Sequence, residues 1–479
     1  MRLSELAYET ISPDPHIEGI TADSRAVSRG FLFAALPGVN ADGAKFIPQA
    51  EESGAAAILA KPGAASRLPI IVDAEPRRRL AQMAARFYPR QPEWIAGITG
   101  TNGKTSTARF AAQIWALLGM NAGSIGTLGA ESTAFSRALA HTTPDPVTLH
   151  ETIDAMARAG VTHLAMEVSS HGLAQFRADA VHMRIAAFTN ITQDHLDYHA
   201  SFEDYFAAKG RLFSELLAAN GLAVINMDGE GAEDFAALAR ARGLPTIQTG
   251  AKGRDITLIN CTPHLGGLML EVETGGKVYR VDTQLIGSFQ AENALLAAGI
   301  AVASGAPAGD ALQKLDSVAG ARGRMEFVGE TSGAGVYVDY AHTPDAVATA
   351  LQAIRPHATG RVIAIIGAGG DRDRKKRPLM GHAAKQNADI VIVTDDNPRN
   401  EDPASIRTAV MEGCPDANEI GDRAEAIAAG VAQLQDGDVL VIMGKGHESG
   451  QMVGDQLLPF DDASVALEFV NDRRMEFGR

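Results

Sequence analysis

The chain has 479 residues, 46% hydrophobic and 21% charged, enough for two to four soluble globular domains rather than one core. A net charge of −15 argues against nucleic acid as the main partner, and the two isolated cysteines, Cys261 and Cys414, argue against a disulfide framework or a structural zinc site. The opening MRLSELAYETISPDP lacks an apolar core of signal-peptide length, and no run is apolar enough to cross a bilayer, so a cytoplasmic protein with no membrane partner is expected.

In chain order, GFLFAAL, AAAILA and PIIVD read as short strands, followed by a basic helix in EPRRRLAQMAARFY. YPRQPEW, with two prolines, reads as a linker over residues 88–94. WIAGIT then reads as a buried strand running through a glycine turn into the helix KTSTARFAAQIWALLG. HLAMEV and RIAAFTN repeat the pattern of an apolar strand ending in polar residues, and FQAENALLAAGIAVASG is helical. After Gly323–Glu326, the runs GVYVDY, RVIAIIG, ADIVIVTD and DVLVIMG predict a further domain with a mostly parallel sheet. Ligands of such sheets bind beyond the carboxyl ends of the strands, where most of the polar motifs fall.

The turn GITGTNGKTS carries the first chemistry. Gly100, Thr101, Asn102 and Gly103 can aim backbone N–H groups at phosphate oxygens. Lys104 can reach the terminal phosphates, the Thr105 hydroxyl can bind Mg²⁺, and Ser106 opens the helix behind them. Strict phosphate-loop spacing would place glycine where this chain has Ile98, so the loop is a variant. Alone it would serve an ATPase, a GTPase, a kinase or a ligase; blandly read, it is a glycine-rich turn with an incidental lysine.

GTNGKTS resembles the loop of the Mur ligases and their folylpolyglutamate synthase relatives. HTTPDP, MEVSSHGLAQFR, FTNITQDHLDYH, AENALLA, GRME, DYAHTPD, GGDRDRKKRP, DDNPR and GKGHE resemble Mur ligases in the same order, over nearly the whole chain. The branch most resembled is the one that adds the third residue of the peptidoglycan peptide. The resemblance implies an α/β fold of three domains. These are a small N-terminal UDP-sugar-binding domain at 1–90, a central phosphate-loop ATP-binding domain at 91–325 and a C-terminal Rossmann-like amino-acid-binding domain at 326–479. A monomer is expected.

The resemblance also implies site residues. Thr105, Glu167 and His195 would hold Mg²⁺, although a lone histidine in such a loop is more often structural. Asp194, Asp197 and His199 read mostly as turn residues. Lys209 by itself is an ordinary exposed lysine on a helix; the resemblance implies a carbamate there, helping to hold a second Mg²⁺. Lys104, Glu167, His195 and Lys209 would be the catalytic set. Asn293, Arg324 and Asp339 would meet ATP, though Asp339 could equally cap the turn after its strand. Ser24, Thr142, Thr143, Ser170, Gln175 and Arg177 would hold the sugar nucleotide UDP-MurNAc-L-Ala-D-Glu; Thr142 and Thr143 are otherwise a polar turn before Pro144. GVNADG departs at Asn40 from relatives with histidine before ADG.

The implied reaction is ATP-dependent: a carboxylate becomes an acyl phosphate, which an amine converts to an amide. DDNPR bears on the amine. Read plainly, Asp396, Asn397 and Pro398 form a turn, and Arg399 is a solvated charge. By resemblance the arginine form belongs to enzymes that take meso-diaminopimelate, with Arg372, Asp396, Asn397, Pro398, Gly444 and Glu448 completing the site. Arg399 would bind a carboxylate that lysine lacks, and Glu448 the distal ammonium. A lysine-adding enzyme, another amide ligase of the MurF or folylpolyglutamate type, and a non-catalytic nucleotide-binding regulator are the alternatives. Amine-dependent ATP turnover separates the last from the rest.

Overall fold

The structure, a computed structural model, describes residues 1–38, 42–192, 198–264 and 266–477. They form two compact units, residues 1–248 with 300–305, and residues 249–299 with 306–479.

In the first unit, Gly19–Thr21, Phe31–Ala35, Ala57–Ala60 and Ile70–Val72 form a four-stranded parallel sheet in chain order. Both faces are buried, as parallel sheets require: Leu32 and Ala34 pack in one apolar cluster, Phe33 and Ala35 in another. Helix Pro76–Phe87 begins with proline at a position where the missing N–H costs nothing. It lays Leu80 and Met83 against Leu3, Leu6 and Leu59, each such side chain contributing roughly 2 kcal/mol by burial.

A second sheet in the same unit carries the phosphate loop. Seven of its eleven strands run in the order Leu217–Asn226, Met183–Phe188, Trp94–Thr99, His163–Glu167, Ala122–Gly126, Gly129–Ser132 and Ser136–Arg137, parallel up to Ala122–Gly126 and antiparallel beyond. Register pairs Ile98 with Glu167 and Thr99 with Phe188. Three adjacent strands therefore end at one edge, and the turn after Thr99, the Glu167 side chain and residues 189–190 emerge together.

The second unit opens with an antiparallel meander, Ile256–His264, Gly267–Thr274 and Lys277–Thr283, which the sequence reading did not anticipate. Its main sheet has the order Glu326–Thr331, Ala334–Asp339, Val439–Met443, Val362–Ile366, Ile390–Val393 and Asn418–Glu419, parallel except at the first, edge strand. Along Val362–Ile366 the even residues pack into one helix-covered cluster and Ile363 and Ile365 into the other, so both faces are sealed. The carboxyl ends present DYAHTPD, GGDRDRKKRP, DDNPR and GKGHE along one edge. The mixed α/β class with mostly parallel sheets is the one expected. No helix of the described residues is long and apolar enough to cross a membrane.

Candidate active site

The turn after Trp94–Thr99 is fixed by backbone demands. Gly100 has φ +151°, and a Cβ there would overlap the Thr189 hydroxyl, so no side chain fits. The Asn102 N–H donates to Asn190 Oδ1 at 3.0 Å, and the Thr101 hydroxyl meets the Tyr205 hydroxyl at 2.9 Å. Gly103 caps helix Lys104–Leu117, with Ser106 buried in its first turn. Lys104 folds back and donates to the carbonyls of Gly100 at 2.9 Å and Thr101 at 2.7 Å.

Lys209, which by itself reads as an exposed lysine and by resemblance as a site residue, is 1% exposed. Helix Phe202–Arg211 carries it inward, where Nζ donates to the Gly100 carbonyl at 2.7 Å and lies 4.5 Å from the Tyr205 ring centre. Two ammonium groups thus converge on one carbonyl at the loop. Helical spacing hides this, because neighbours such as Ala207 on the same helix face water.

Glu167 is buried at its strand end. Its Oε2 accepts the Thr105 hydroxyl at 2.9 Å and its Oε1 the Thr127 N–H at 2.8 Å. The Thr127 hydroxyl also meets that of Thr142 at 3.0 Å, linking the phosphate-loop threonine to HTTPDP through Glu167. His195, Asp194 and Asp197, like Asn40, lie outside the described residues. Among the described residues no three histidine, cysteine or acidic side chains gather as a metal cluster.

The structure brings five of the six nucleotide-sugar candidates together. Buried Thr143 donates to the Glu167 carbonyl at 3.1 Å and accepts the Ser169 N–H at 3.0 Å. Arg177 donates to the Thr143 carbonyl at 2.8 Å and, through Nη2, to Gln175 Oε1 at 2.8 Å, while burial holds its guanidinium below the usual basicity. The buried Ser170 hydroxyl has no hydrogen-bond partner among the described residues. Ser24 stands apart, in the turn Ser24–Ala26 that follows the Gly19–Thr21 strand, with Asp23 capping the turn by accepting the Arg25 N–H.

In the second unit Asn293 is buried on helix Ser288–Ala303, its amide donating to Gln290 Oε1 at 3.0 Å. Asp339 accepts N–H groups from Met325 and Ala341, both at 2.8 Å, so it does cap its turn, and burial pushes its carboxyl up. Arg324 lies beside it, 4.6 Å from the Tyr340 ring centre.

The DDNPR and GKGHE turns lock together. Gly444 has φ +116°, and a Cβ there would sit 2.5 Å from Asp396 Oδ2. Asn397 donates to Glu448 Oε2 at 2.8 Å and accepts the Met452 N–H at 2.8 Å. Lys445, overlooked in GKGHE, is 0% exposed and reaches Gly450 O at 2.5 Å, Glu448 at 3.3 Å and Asn397 at 3.4 Å. A lysine directly after a buried strand and between two glycines was the available signal. Pro398 is buried. Arg399 is half-buried rather than solvated, in a left-handed conformation at φ +51°, and donates to Gly370 O at 2.8 Å. A Cβ on Gly369 would stand 2.8 Å from Arg399 Nη1 and 3.7 Å from Arg372 Cγ, so the Arg399 guanidinium and the stem of Arg372 both flank this glycine, while the exposed Arg372 donates to the Asp371 carbonyl at 3.4 Å. Among the described residues neither of them forms an ion pair.

Three profiles of one family match the chain in order: "Mur ligase family, catalytic domain" over residues 16–88, "Mur ligase middle domain" over 98–301 and "Mur ligase, glutamate ligase domain" over 323–446. The chain is 49% identical to a UDP-N-acetylmuramoyl-L-alanyl-D-glutamate--2,6-diaminopimelate ligase of Caulobacter vibrioides, over 98% of both chains. It is 48% identical to the enzyme of that name from Bradyrhizobium diazoefficiens, over 96% of this chain and 97% of the relative. A solved structure of a ligase of the same name matches with a TM-score of 0.76 at 31% identity, over 99% of each chain. The MurF ligase of Thermotoga maritima in complex with ADP shares the fold, at a TM-score of 0.61 and 18% identity, over 95% of this chain and 97% of that one. With the phosphate loop, the strand-end carboxylate and the strand-edge motifs in place, these matches make the chain a member of the Mur ligase family, an ATP-dependent ligase.

Proposed function

We propose that this ligase adds meso-diaminopimelate to UDP-MurNAc-L-Ala-D-Glu, in the cytoplasm and as a monomer, with domain boundaries near residues 90 and 325. The observation that carries the proposal is that the half-buried Arg399 guanidinium and the stem of Arg372 flank Gly369 at the carboxyl edge of the sheet, with neither arginine in an ion pair among the described residues, on a chain of net charge −15. Two unneutralised guanidiniums at the carboxyl edge of a parallel sheet suit a carboxylate, which arginine binds in bidentate fashion. Diaminopimelate has a distal carboxylate and lysine has none. Glu448, beside Asn397, suits the ammonium on the same distal carbon.

The reaction runs in two steps. The terminal carboxylate of the dipeptide attacks the γ-phosphorus of ATP, giving an acyl phosphate and ADP. The amine then attacks the acyl carbon, forming the amide and releasing phosphate and a proton. Gly100, Thr101, Asn102, Gly103, Lys104 and Ser106 hold the phosphates; Lys104 must swing off its loop carbonyls to reach them. Asn293, Arg324 and Asp339 hold the nucleoside end. Thr143, Ser170, Gln175 and Arg177, with Thr142 and Ser24, hold the sugar nucleotide.

Thr105 and Glu167 fit Mg²⁺, since a hydroxyl and a carboxylate 2.9 Å apart are hard oxygen donors; His195 completes the proposed set. Bound there, the metal would neutralise phosphate charge. Burial of Lys209 against the loop, beside a second ammonium, supports its conversion to an anionic carbamate.

The test is phosphate release with product mass, using purified protein, ATP, Mg²⁺ and UDP-MurNAc-L-Ala-D-Glu with either meso-diaminopimelate or L-lysine. Turnover and a tripeptide mass with diaminopimelate alone are expected. Lysine use would overturn the reading of Arg399 and leave the ligase; turnover with neither amine would point to another acceptor.

A further inference from the structure

Resting on that reading, we infer that Glu401, clamped by Arg377, is a specificity-determining positioning residue that sets the separation of Arg372 and Arg399. Arg372 and Arg399 stand on different turns, residues 367–375 after Val362–Ile366 and residues 394–401 after Ile390–Val393. Turns at strand ends move independently unless something ties them together, and a two-guanidinium receptor works only at a fixed spacing.

The tie is Glu401. Its Oε1 accepts the Asp371 N–H at 2.6 Å and Arg377 Nη2 at 2.9 Å, and its Oε2 accepts Arg377 Nη1 at 3.1 Å and Arg374 at 3.0 Å. One carboxylate on the 394–401 turn thus grips the backbone and the Arg374 guanidinium of the other turn, and Arg377 in the first turn of the helix Lys376–Asn387 that follows it. Arg377 is buried and also donates to the carbonyl of Gly369, which the Arg399 guanidinium and the Arg372 stem flank. Asp371 completes the lacing: its Oδ2 accepts the Asn400 side chain at 3.0 Å, and the Gly370 N–H donates to Asn397 O at 2.9 Å. Asp371 and Arg399 both hold left-handed backbones, at φ +52° and +51°, a strain that persists only where surroundings over-determine it. Glu401 touches none of the atoms a donor carboxylate would meet, so it acts through the arginines.

The experiment compares Glu401→Gln, Glu401→Asp, the double variant Arg377→Met with Glu401→Met, and Arg399→Ala in the full chain. Readouts are KM for meso-diaminopimelate, KM for ATP, kcat and melting temperature. Glu401→Gln keeps the size and loses the charge. It is expected to raise KM for diaminopimelate about ten-fold, with kcat and KM for ATP within about two-fold. Glu401→Asp, charged but one methylene short, should fall between wild type and Gln. The double variant replaces the pair by apolar side chains, so it should recover melting temperature while KM stays high. Recovery of both, or a uniform loss that follows melting temperature in every variant, would make the pair a structural strut and overturn the inference. Arg399→Ala separates the two readings: unchanged KM there sinks the carboxylate receptor itself, whereas raised KM there with wild-type KM in Glu401→Gln sinks only the role of Glu401.

Discussion

At the scale of single residues, burial decides what a titratable group can do. His150 sits on the inner face of helix Pro146–Arg158, fully buried, with Nε2 donating to the Asp179 carbonyl at 3.0 Å and Nδ1 without a partner. Burial pushes it down to about 4, from an ordinary value of 6.5. An unfolded chain takes up the proton first as pH falls, so the stability this histidine contributes is complete above 6.5 and is lost on the way down to about 4. From about pH 7.5 to about pH 5 that loss is on the order of 2 kcal/mol. His150→Gln, which keeps a donor for Asp179, should flatten the dependence of the urea midpoint on pH over that interval; parallel curves would show that the acid sensitivity arises elsewhere. Single residues were also where sequence was least informative. GTNGKTS and DDNPR could be singled out from residue type and order. The burial of Lys209 and Lys445 could not be read, because an exposed and a buried lysine are written alike, and only the path of the helix or turn decides between them. Thr127 was missed for a related reason: its contact with Glu167 exists only because strands Ala122–Gly126 and His163–Glu167 are neighbours.

At the scale of elements, one ion pair ties helix starts to strand ends. Arg423 opens helix Arg423–Ala432, Asp462 opens helix Asp462–Phe477, and both are 0% exposed. Their side chains meet at 2.7 and 2.6 Å, and the guanidinium also donates to the carbonyls of Asp395 at 3.2 Å and Met443 at 3.0 Å. Those carbonyls begin the DDNPR and GKGHE turns. An arginine at a helix start opposes the helix dipole, so its place is explained by what it holds. Arg423→Met should cost about 3–5 kcal/mol in urea unfolding, since it strands the Asp462 carboxylate in the core, and Arg423→Met with Asp462→Leu should recover most of that. A single variant costing under about 1 kcal/mol would mean that solvent reaches Asp462. The elements themselves were largely readable. Continuous apolar runs became the parallel strands, because two buried faces leave no polar positions. The meander of residues 256–283 escaped because one face is wet: Leu268, Leu270 and Val272 are buried while Met269 and the neighbouring polar residues alternate with them. Strand order was not readable either, since nothing in DVLVIMG says that it inserts between GVYVDY and RVIAIIG.

At the scale of the whole molecule, the chain folds as two compact units with separate apolar clusters, so unfolding in a single two-state step is not expected. The proposed ligand sets divide between them. Ser24, Thr142, Thr143, Ser170, Gln175 and Arg177 belong to residues 1–248, whereas Arg372, Asn397, Arg399 and Glu448 belong to the second unit. A ligand stabilises what it binds by mass action, about 2.7 kcal/mol at a concentration a hundred times its Kd. Calorimetry should therefore resolve two transitions. UDP-MurNAc-L-Ala-D-Glu should raise one of them and meso-diaminopimelate the other. Arg177→Ala should abolish the first shift and leave the second, and Arg399→Ala should do the reverse. Each variant then serves as the control for the other, because a general loss of folding would lower both transitions. A single transition raised by either ligand would mean that the two units melt together, and that coupling between them outweighs the separate cores.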